Sequence, residues 1–128
     1  MRKNETKAKL NRGETVFGSF ANVPAPSTVE TLGHLGFDFV ILDGEHSPVG
    51  QETIENMVRA ADVTGITPIA RIALNAPQNL LRYLDSGCLG VEIPMVNTEE
   101  EARRVADAVR YPPRGIRGLA GVRANEWG

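Results

Sequence analysis

Cysteine is all but missing from this chain: the single Cys88 cannot close an internal disulfide, so the sequence points to a reducing compartment, the cytoplasm. Neither charge sign dominates. A formal net charge of −2 offers no electrostatic footprint for nucleic acid or for an anionic membrane surface. No apolar run approaches the roughly 20 residues of a membrane span. The basic, polar start MRKNETKAKL has no apolar centre and does not read as a signal peptide. No low-complexity tract and no obvious linker interrupts the chain. What is present is an ordinary globular composition, 41% hydrophobic and 23% charged over 128 residues. That suffices for one core but lies near the lower end for a large enzyme architecture.

After a polar N-terminal segment (1–12), short β-rich runs alternate with helical patterns. TVFGSF (15–20) is a strand candidate, and TVETLGHLG (28–36) reads as a helix with Ser27 as its N-cap and Gly36 just past its end. FDFVILD (37–43) is apolar almost throughout, as expected of a strand covered on both faces. Residues 50–64 place Ile54, Met57, Val58 and Ala61 at helical spacing before Gly65. TPIARI (67–72) is the next strand, and a helix over 76–87 opens near Pro77 and closes at Gly87. GVEIPMV (90–96) is a fourth strand. The helix 98–111 has Thr98 as N-cap, acids in its first turn and Arg110 in its last.

Strict alternation with short connections predicts parallel strands joined by helical crossovers, an α/β fold. A doubly wound sheet and a (β/α)₈ barrel both satisfy it, and both carry chemistry at the carboxyl ends of the strands. No Gly-rich phosphate loop follows the first strand, so the dinucleotide-binding version loses its fingerprint. A barrel fits better, yet four units are half of one, since a complete barrel takes about 250 residues.

The residues just after each strand are the ones to weigh. The first strand gives Ala21 and Asn22, the second Asp43, Glu45 and His46, the third Arg71, and the fourth Pro94, Met95 and Val96. Each has a bland explanation. Asp43-Gly44 is a common turn, a lone His46 serves more often as a hydrogen-bonding residue, and Arg71 can pair with a neighbouring carboxylate. Together they lack a packing rationale, because an apolar strand has no use for Asp, Glu and His at its end. Such a set supports proton transfer beside an oxyanion. An Asp three residues before a His can hold one ring nitrogen and leave the other to move a proton. An Arg one strand along offers a fixed fork of donors to a carboxylate or an enolate. One His and two acids on one loop do not have the spacing of a closed metal site.

FDFVILDGEHSP, the PIARI strand, LRYLDSGCLGVEIPMVNT and RYPPRGIRGLAGVRANEWG closely resemble the HpcH/HpaI aldolases, from about Val16 to Gly128. The resemblance implies a TIM barrel of the phosphoenolpyruvate/pyruvate type, with residues 1–128 supplying about its first four βα units. It implies a carbon–carbon lyase that cleaves a 4-hydroxy-2-oxo acid reversibly to pyruvate and an aldehyde through a metal-bound enolate. The substrate would be of the 2-keto-3-deoxy sugar acid or 4-hydroxy-2-oxoheptanedioate type. It further implies a divalent cofactor, Mg²⁺ or Mn²⁺, and homo-oligomers, trimers or hexamers. By the same resemblance His46 would be the acid/base group and Asp43 would orient it. Arg71 would bind the keto oxygen and stabilise the enolate. Asp85 would lie near the metal or a subunit boundary, Glu45 would hold the loop as a hydrogen-bond acceptor, and Arg117 would lie at the rim.

The family's metal ligands, a Glu and an Asp on later strands, would fall beyond Gly128, so no metal ligand is expected within this chain. Glu99, Glu100 and Glu101 read as first-turn dipole partners, and Glu92, inside a strand, is a single acid. A half-barrel would also carry an unpaired strand edge. The simplest reading is therefore a partial sequence of a longer aldolase. Its rivals are a non-catalytic half-barrel acting as an assembly module and a citrate-lyase-like enzyme acting on acyl-CoA. The lack of a basic or Gly-rich phosphate-binding stretch argues against the last.

Overall fold

The computed structural model describes residues 3–128; Met1 and Arg2, the first two residues of the basic start, lie outside the described residues. Helix α1 (Glu5–Asn11) precedes four βα units. These are β1 (Gly18–Ala21) with α2 (Pro26–His34), β2 (Phe39–Asp43) with α3 (Gln51–Thr64), β3 (Thr67–Arg71) with α4 (Pro77–Asp85), and β4 (Gly90–Glu92) with α5 (Glu99–Ala108). A single 3₁₀ turn, Arg123–Asn125, lies in the C-terminal segment.

All three strand pairings are parallel, and the spatial order β1-β2-β3-β4 follows the chain. This order separates the two architectures the sequence leaves open. A doubly wound sheet reverses direction at a switch point, so its strands cannot run in chain order, whereas a barrel adds each strand beside the last. The fold is four βα units in barrel order.

The strand register explains why the apolar run of β2 is not uniform in burial. Ala21, Leu42 and Ala70 share one face, as does Val40, and they pack with Val29 of α2 and with Ile54, Met57, Val58 and Ala61 of α3. Ile54, Met57 and Val58 are fully buried, and each such side chain contributes about 1.5–3 kcal/mol relative to exposure. A second cluster, Ile72, Leu80 and Ala108, seats α4 and α5 with Val91 of β4 against it. The opposite face of the sheet carries Phe20, Ile41 and Ile69 in register, with Gly90 beside Ile69. That is the inner face of a barrel.

Several boundaries differ from the sequence reading, each for a local reason. Helix α2 starts at Pro26 with Ala25 as N-cap and no side-chain cap. The fixed φ of Pro26 starts the helix early, so Ser27 lies inside it and its carbonyl accepts from the Thr31 hydroxyl. Strand β4 ends at Glu92 rather than at residue 96, because Pro94 has no N–H to donate and Met95 turns to φ 57°. Helix α5 stops at Ala108, since the chain folds back so that Ile116 N–H donates to the Asp107 carbonyl at 2.8 Å. Arg110 therefore lies beyond the helix. At its other end Thr98 and Glu101 form the reciprocal capping box, and Glu99, Glu100 and Glu101 stand in the first turn. Gly65, at φ 79°, ends α3 in the left-handed conformation that a Cβ disfavours.

The polar segment 1–12 contains α1, which sequence alone does not reveal. Asn4 caps it, its side chain accepting from Lys7 N–H. The helix closes the amino ends of the strands. The Thr6 hydroxyl lies 2.9 Å from the Asp38 carbonyl and 2.8 Å from the Thr67 hydroxyl, and Asn4 Nδ2 donates to the Leu89 carbonyl at 3.1 Å. Among the described residues no helix is long and apolar enough to cross a membrane.

Candidate active site

At the carboxyl ends of the strands the register pairs Asp43 with Arg71 and Arg71 with Glu92. Asn22 follows β1 at the next step of the same row. Four polar side chains from four successive strands therefore share one layer on the inner face. Nothing in the core requires them there.

Asp43 is the hub of that row and is fully buried. Its Oδ1 accepts from Arg71 Nε at 3.0 Å and from the backbone N–H groups of Glu45 and His46, both at 3.1 Å. Its Oδ2 accepts from Arg71 Nη2 at 2.8 Å and from Asn22 Nδ2 at 3.0 Å. The Ser47 hydroxyl donates to the Asp43 carbonyl, tightening the loop. Gly44 is required by close approach. Its N–H donates to the Arg71 carbonyl at 2.8 Å, and a Cβ there would stand 2.8 Å from that oxygen and from the Tyr83 hydroxyl.

These contacts fix the protonation of the site. The Asp43 carboxyl falls from 3.8 to about 2, chiefly through the hydrogen bonds from Arg71. Burial pushes the other way, and the N–H groups of His46 and Glu45 and the charge of Arg71 add to the lowering. Arg71 is raised above its ordinary value, first by the bond to Asp43 and then by the charges of Asp43, Glu45 and Glu92, against burial. The two form a bidentate ion pair, the strong geometry for Arg and carboxylate. The Arg71 side chain is 18% exposed, and its guanidinium carbon lies 4.7 Å from the Phe20 ring centroid. It is thus stacked and clamped, with an edge still open to the mouth.

The two loop acids make different contacts. Asp43 does not reach the imidazole of His46; its oxygens are taken by Arg71, Asn22 and the loop backbone. A carboxylate accepting from the N–H groups two and three residues on is the local turn geometry that Asp favours, and it outcompetes the more distant ring. Asp43 is therefore the loop-holding acceptor, the role expected of Glu45. Glu45 is the carboxylate nearest the imidazole, its Oε2 3.7 Å from His46 Nε2 and 3.5 Å from Arg71 Nε. The His46 side chain is 68% exposed at the mouth.

Asp85 and Arg117 come together with each other and not with this cluster. Arg117 Nη2 donates to Asp85 Oδ1 at 2.8 Å, and the guanidinium lies 4.6 Å from the Tyr111 ring centroid. Arg117 lines a cavity of about 610 Å³ with Gly87, Leu89 and Gly90, at the amino end of β4. The rim position expected for Arg117 is not the one it takes, because the returning segment 116–118 packs it against the end of α4. Asn22, Phe20 and Glu92 stand beside this cluster, and the motif reading gave them no role. The register of a parallel sheet is the signal that finds them.

Among the described residues no three His, Cys, Asp or Glu side chains converge to hold a metal ion. The mouth is nonetheless acidic, with Asp43, Glu45 and Glu92 set against Arg71.

The family model described as HpcH/HpaI aldolase/citrate lyase matches residues 17–126. The 2-dehydro-3,6-dideoxy-6-sulfogluconate aldolase of Pseudomonas putida is 40% identical over 120 residues, covering 93% of this chain and 47% of that protein. The 5-keto-4-deoxy-D-glucarate aldolase of Salmonella paratyphi A is 39% identical over 126 residues, covering 98% of this chain and 49% of that protein. A crystal structure of an HpcH/HpaI aldolase/citrate lyase family protein from Burkholderia cenocepacia J2315 superposes with a TM-score of 0.91 at 29% identity, over 98% of this chain and 52% of that one. The chain spans about half the length of the curated relatives it matches.

Proposed function

This chain belongs to the HpcH/HpaI aldolase/citrate lyase family, and on that premise we propose that it carries the 2-oxo-acid-handling half of a carbon–carbon lyase. The reaction is the reversible retro-aldol cleavage of a 4-hydroxy-2-oxo acid to pyruvate and an aldehyde. The observation that carries the reading is the clamped Arg71. A guanidinium stacked on Phe20, held in two-point contact by a buried Asp43 and still open at one edge, is pre-organised to receive a 2-oxo acid.

In this reading Arg71 binds the C2 oxygen of the oxo acid and stabilises the negative charge that gathers there as the C3–C4 bond breaks. His46, exposed beside it, takes the C4 hydroxyl proton as the C3–C4 bond breaks and returns a proton to C3, converting the enolate to pyruvate. Asp43 acts through Arg71 and through the loop, and is a positioning residue. The relatives named above act on sulfonated and carboxylated deoxy-keto sugar acids, which supports a deoxy sugar acid as the substrate class. Homo-oligomers and a cytoplasmic location complete the reading.

A divalent cation, Mg²⁺ or Mn²⁺, belongs to the proposal as the Lewis acid for the oxo group. The acidic mouth favours a cation, but Asp43 is spent on Arg71 and no complete donor set converges among the described residues. The ligands must come from elsewhere, and none of the roles above is routed through the ion.

The test is pyruvate release from a 4-hydroxy-2-oxo acid by the full-length protein. Replacing His46 with Ala is expected to lower turnover by roughly 10²-fold or more, the scale of a lost general acid/base. Turnover near that of the unaltered protein would refute the assignment of His46.

A further inference from the structure

Glu92 is the one charged member of the strand-end row to which the proposed chemistry gives no task. Its orientation follows from the sheet. Gly90 lies beside Ile69 in register, and a Cβ at Gly90 would meet the Ile69 side chain at 3.4 Å. Gly90 and Ile69 thus face the same way, and so do Arg71 and Glu92, two residues further on each strand. Val91, between them, packs with Ile72, Leu80 and Ala108 on the helix side. Glu92 therefore stands on the inner face, one strand from Arg71, and its charge is felt at that guanidinium. Among the described residues its carboxylate makes no hydrogen bond and no ion pair, though its carbonyl accepts from Ile72 N–H at 3.1 Å, while Asp43 already neutralises Arg71. A half-buried carboxylate at a substrate mouth, with no protein donor on it, is free to accept from a ligand hydroxyl.

We propose that Glu92 is a specificity-determining residue that accepts a hydrogen bond from a hydroxyl of the aldehyde half of the substrate. This rests on the reading in which Arg71 holds the 2-oxo end. Adjacent strands are about 4.8 Å apart, so a chain whose C2 oxygen sits on Arg71 and which runs toward β4 brings C4 and C5 within reach of Glu92. The substrate it selects has an uncharged, hydroxylated tail, as in a 2-oxo-3-deoxy sugar acid. A tail ending in a carboxylate or a sulfonate brings a second negative charge toward Glu92 and Glu45 and is disfavoured, so the tail preference departs from that named for the relatives above. The geometry thus separates two substrate types that the family resemblance leaves together.

The test compares kcat/KM for pyruvate release from two substrates in the full-length protein: a 2-oxo-3-deoxy sugar acid with an uncharged tail, and a 4-hydroxy-2-oxo dicarboxylate. Glu92→Gln, which keeps an acceptor but loses the charge, is expected to lower the first by about tenfold. Glu92→Leu, which loses both, is expected to lower it by about 10²-fold, the scale of a lost hydrogen bond to a charged acceptor. Both variants are expected to hold or raise the rate on the dicarboxylate. Equal falls on the two substrates in both variants would make Glu92 a structural residue and overturn the inference, leaving the lyase reading intact. An unaltered protein that releases pyruvate from neither substrate would instead overturn the lyase reading and this inference with it.

Discussion

Arg71 and Arg117 are held by the same two kinds of contact in two different parts of the fold. Each guanidinium lies over an aromatic ring, 4.7 Å from Phe20 and 4.6 Å from Tyr111, and each bonds an aspartate, Asp43 and Asp85. The differences lie in the partner and the place. Asp43 is fully buried, grips Arg71 at two points and also gathers Asn22 and two loop N–H groups. Asp85 is 21% exposed and receives a single bond, and the buried Nε of Arg117 finds no acceptor. The first pair ends two strands on the inner face and keeps an edge open. The second fastens the returning C-terminal segment to α4. The same residue types stand at a candidate site in one place and act as a clip in the other, and the strand ends are what set the first apart.

The comparison can be broken at its strongest point first. Asp43→Ala strands a mostly buried guanidinium and frees the loop, and is expected to cost about 3 kcal/mol of stability, as removing one partner of a buried pair does. Urea unfolding measures it. A loss below 1 kcal/mol would mean that the row does not organise the strand ends.

Arg71→Lys keeps the charge but not the fork. Pyruvate formation by the full-length protein is expected to fall by about 10²-fold, while Arg117→Lys stays within about threefold. Steady-state kinetics on both variants decides it, and similar losses would erase the distinction between site and clip.

Asp85→Ala is expected to cost only about 1–2 kcal/mol, because one hydrogen bond from a partly exposed group is lost and the stacking on Tyr111 remains. The same urea titration provides the contrast with Asp43.

The smallest effect is on the acid limb of stability. The Asp43 carboxyl falls from 3.8 to about 2 on folding, so at low pH the unfolded chain takes up the proton first. The stabilisation is whole above pH 3.8 and is lost as pH falls toward 2. Unfolding followed between pH 5 and 2 is expected to show this loss in the native protein and a flatter profile in Asp43→Asn. Parallel profiles would contradict the assignment.

Much of this was legible in the chain itself. The alternation of apolar runs and helical spacing predicts all four βα units, and the Asp43, Glu45, His46 and Arg71 set falls where the strands end. What sequence could not supply was pairing. Whether Asp43 holds an imidazole or a backbone N–H depends on loop conformation, and both lie within three residues. Helix α1 is too short and polar to announce itself, and its role comes from Thr6 meeting the starts of β2 and β3. Asn22, Phe20 and Glu92 become site residues only once the register sets them beside Asp43 and Arg71.

The most direct test of the central claim, that the Arg71 clamp handles the 2-oxo acid, is deuterium exchange into the C3 methyl group of pyruvate followed by proton NMR. Exchange needs a bound 2-oxo acid and a proton-transfer group but no aldehyde. The full-length protein is expected to catalyse it, Arg71→Lys to lose it, and Arg117→Lys to retain it. Exchange that survives in Arg71→Lys at the native rate would contradict the account.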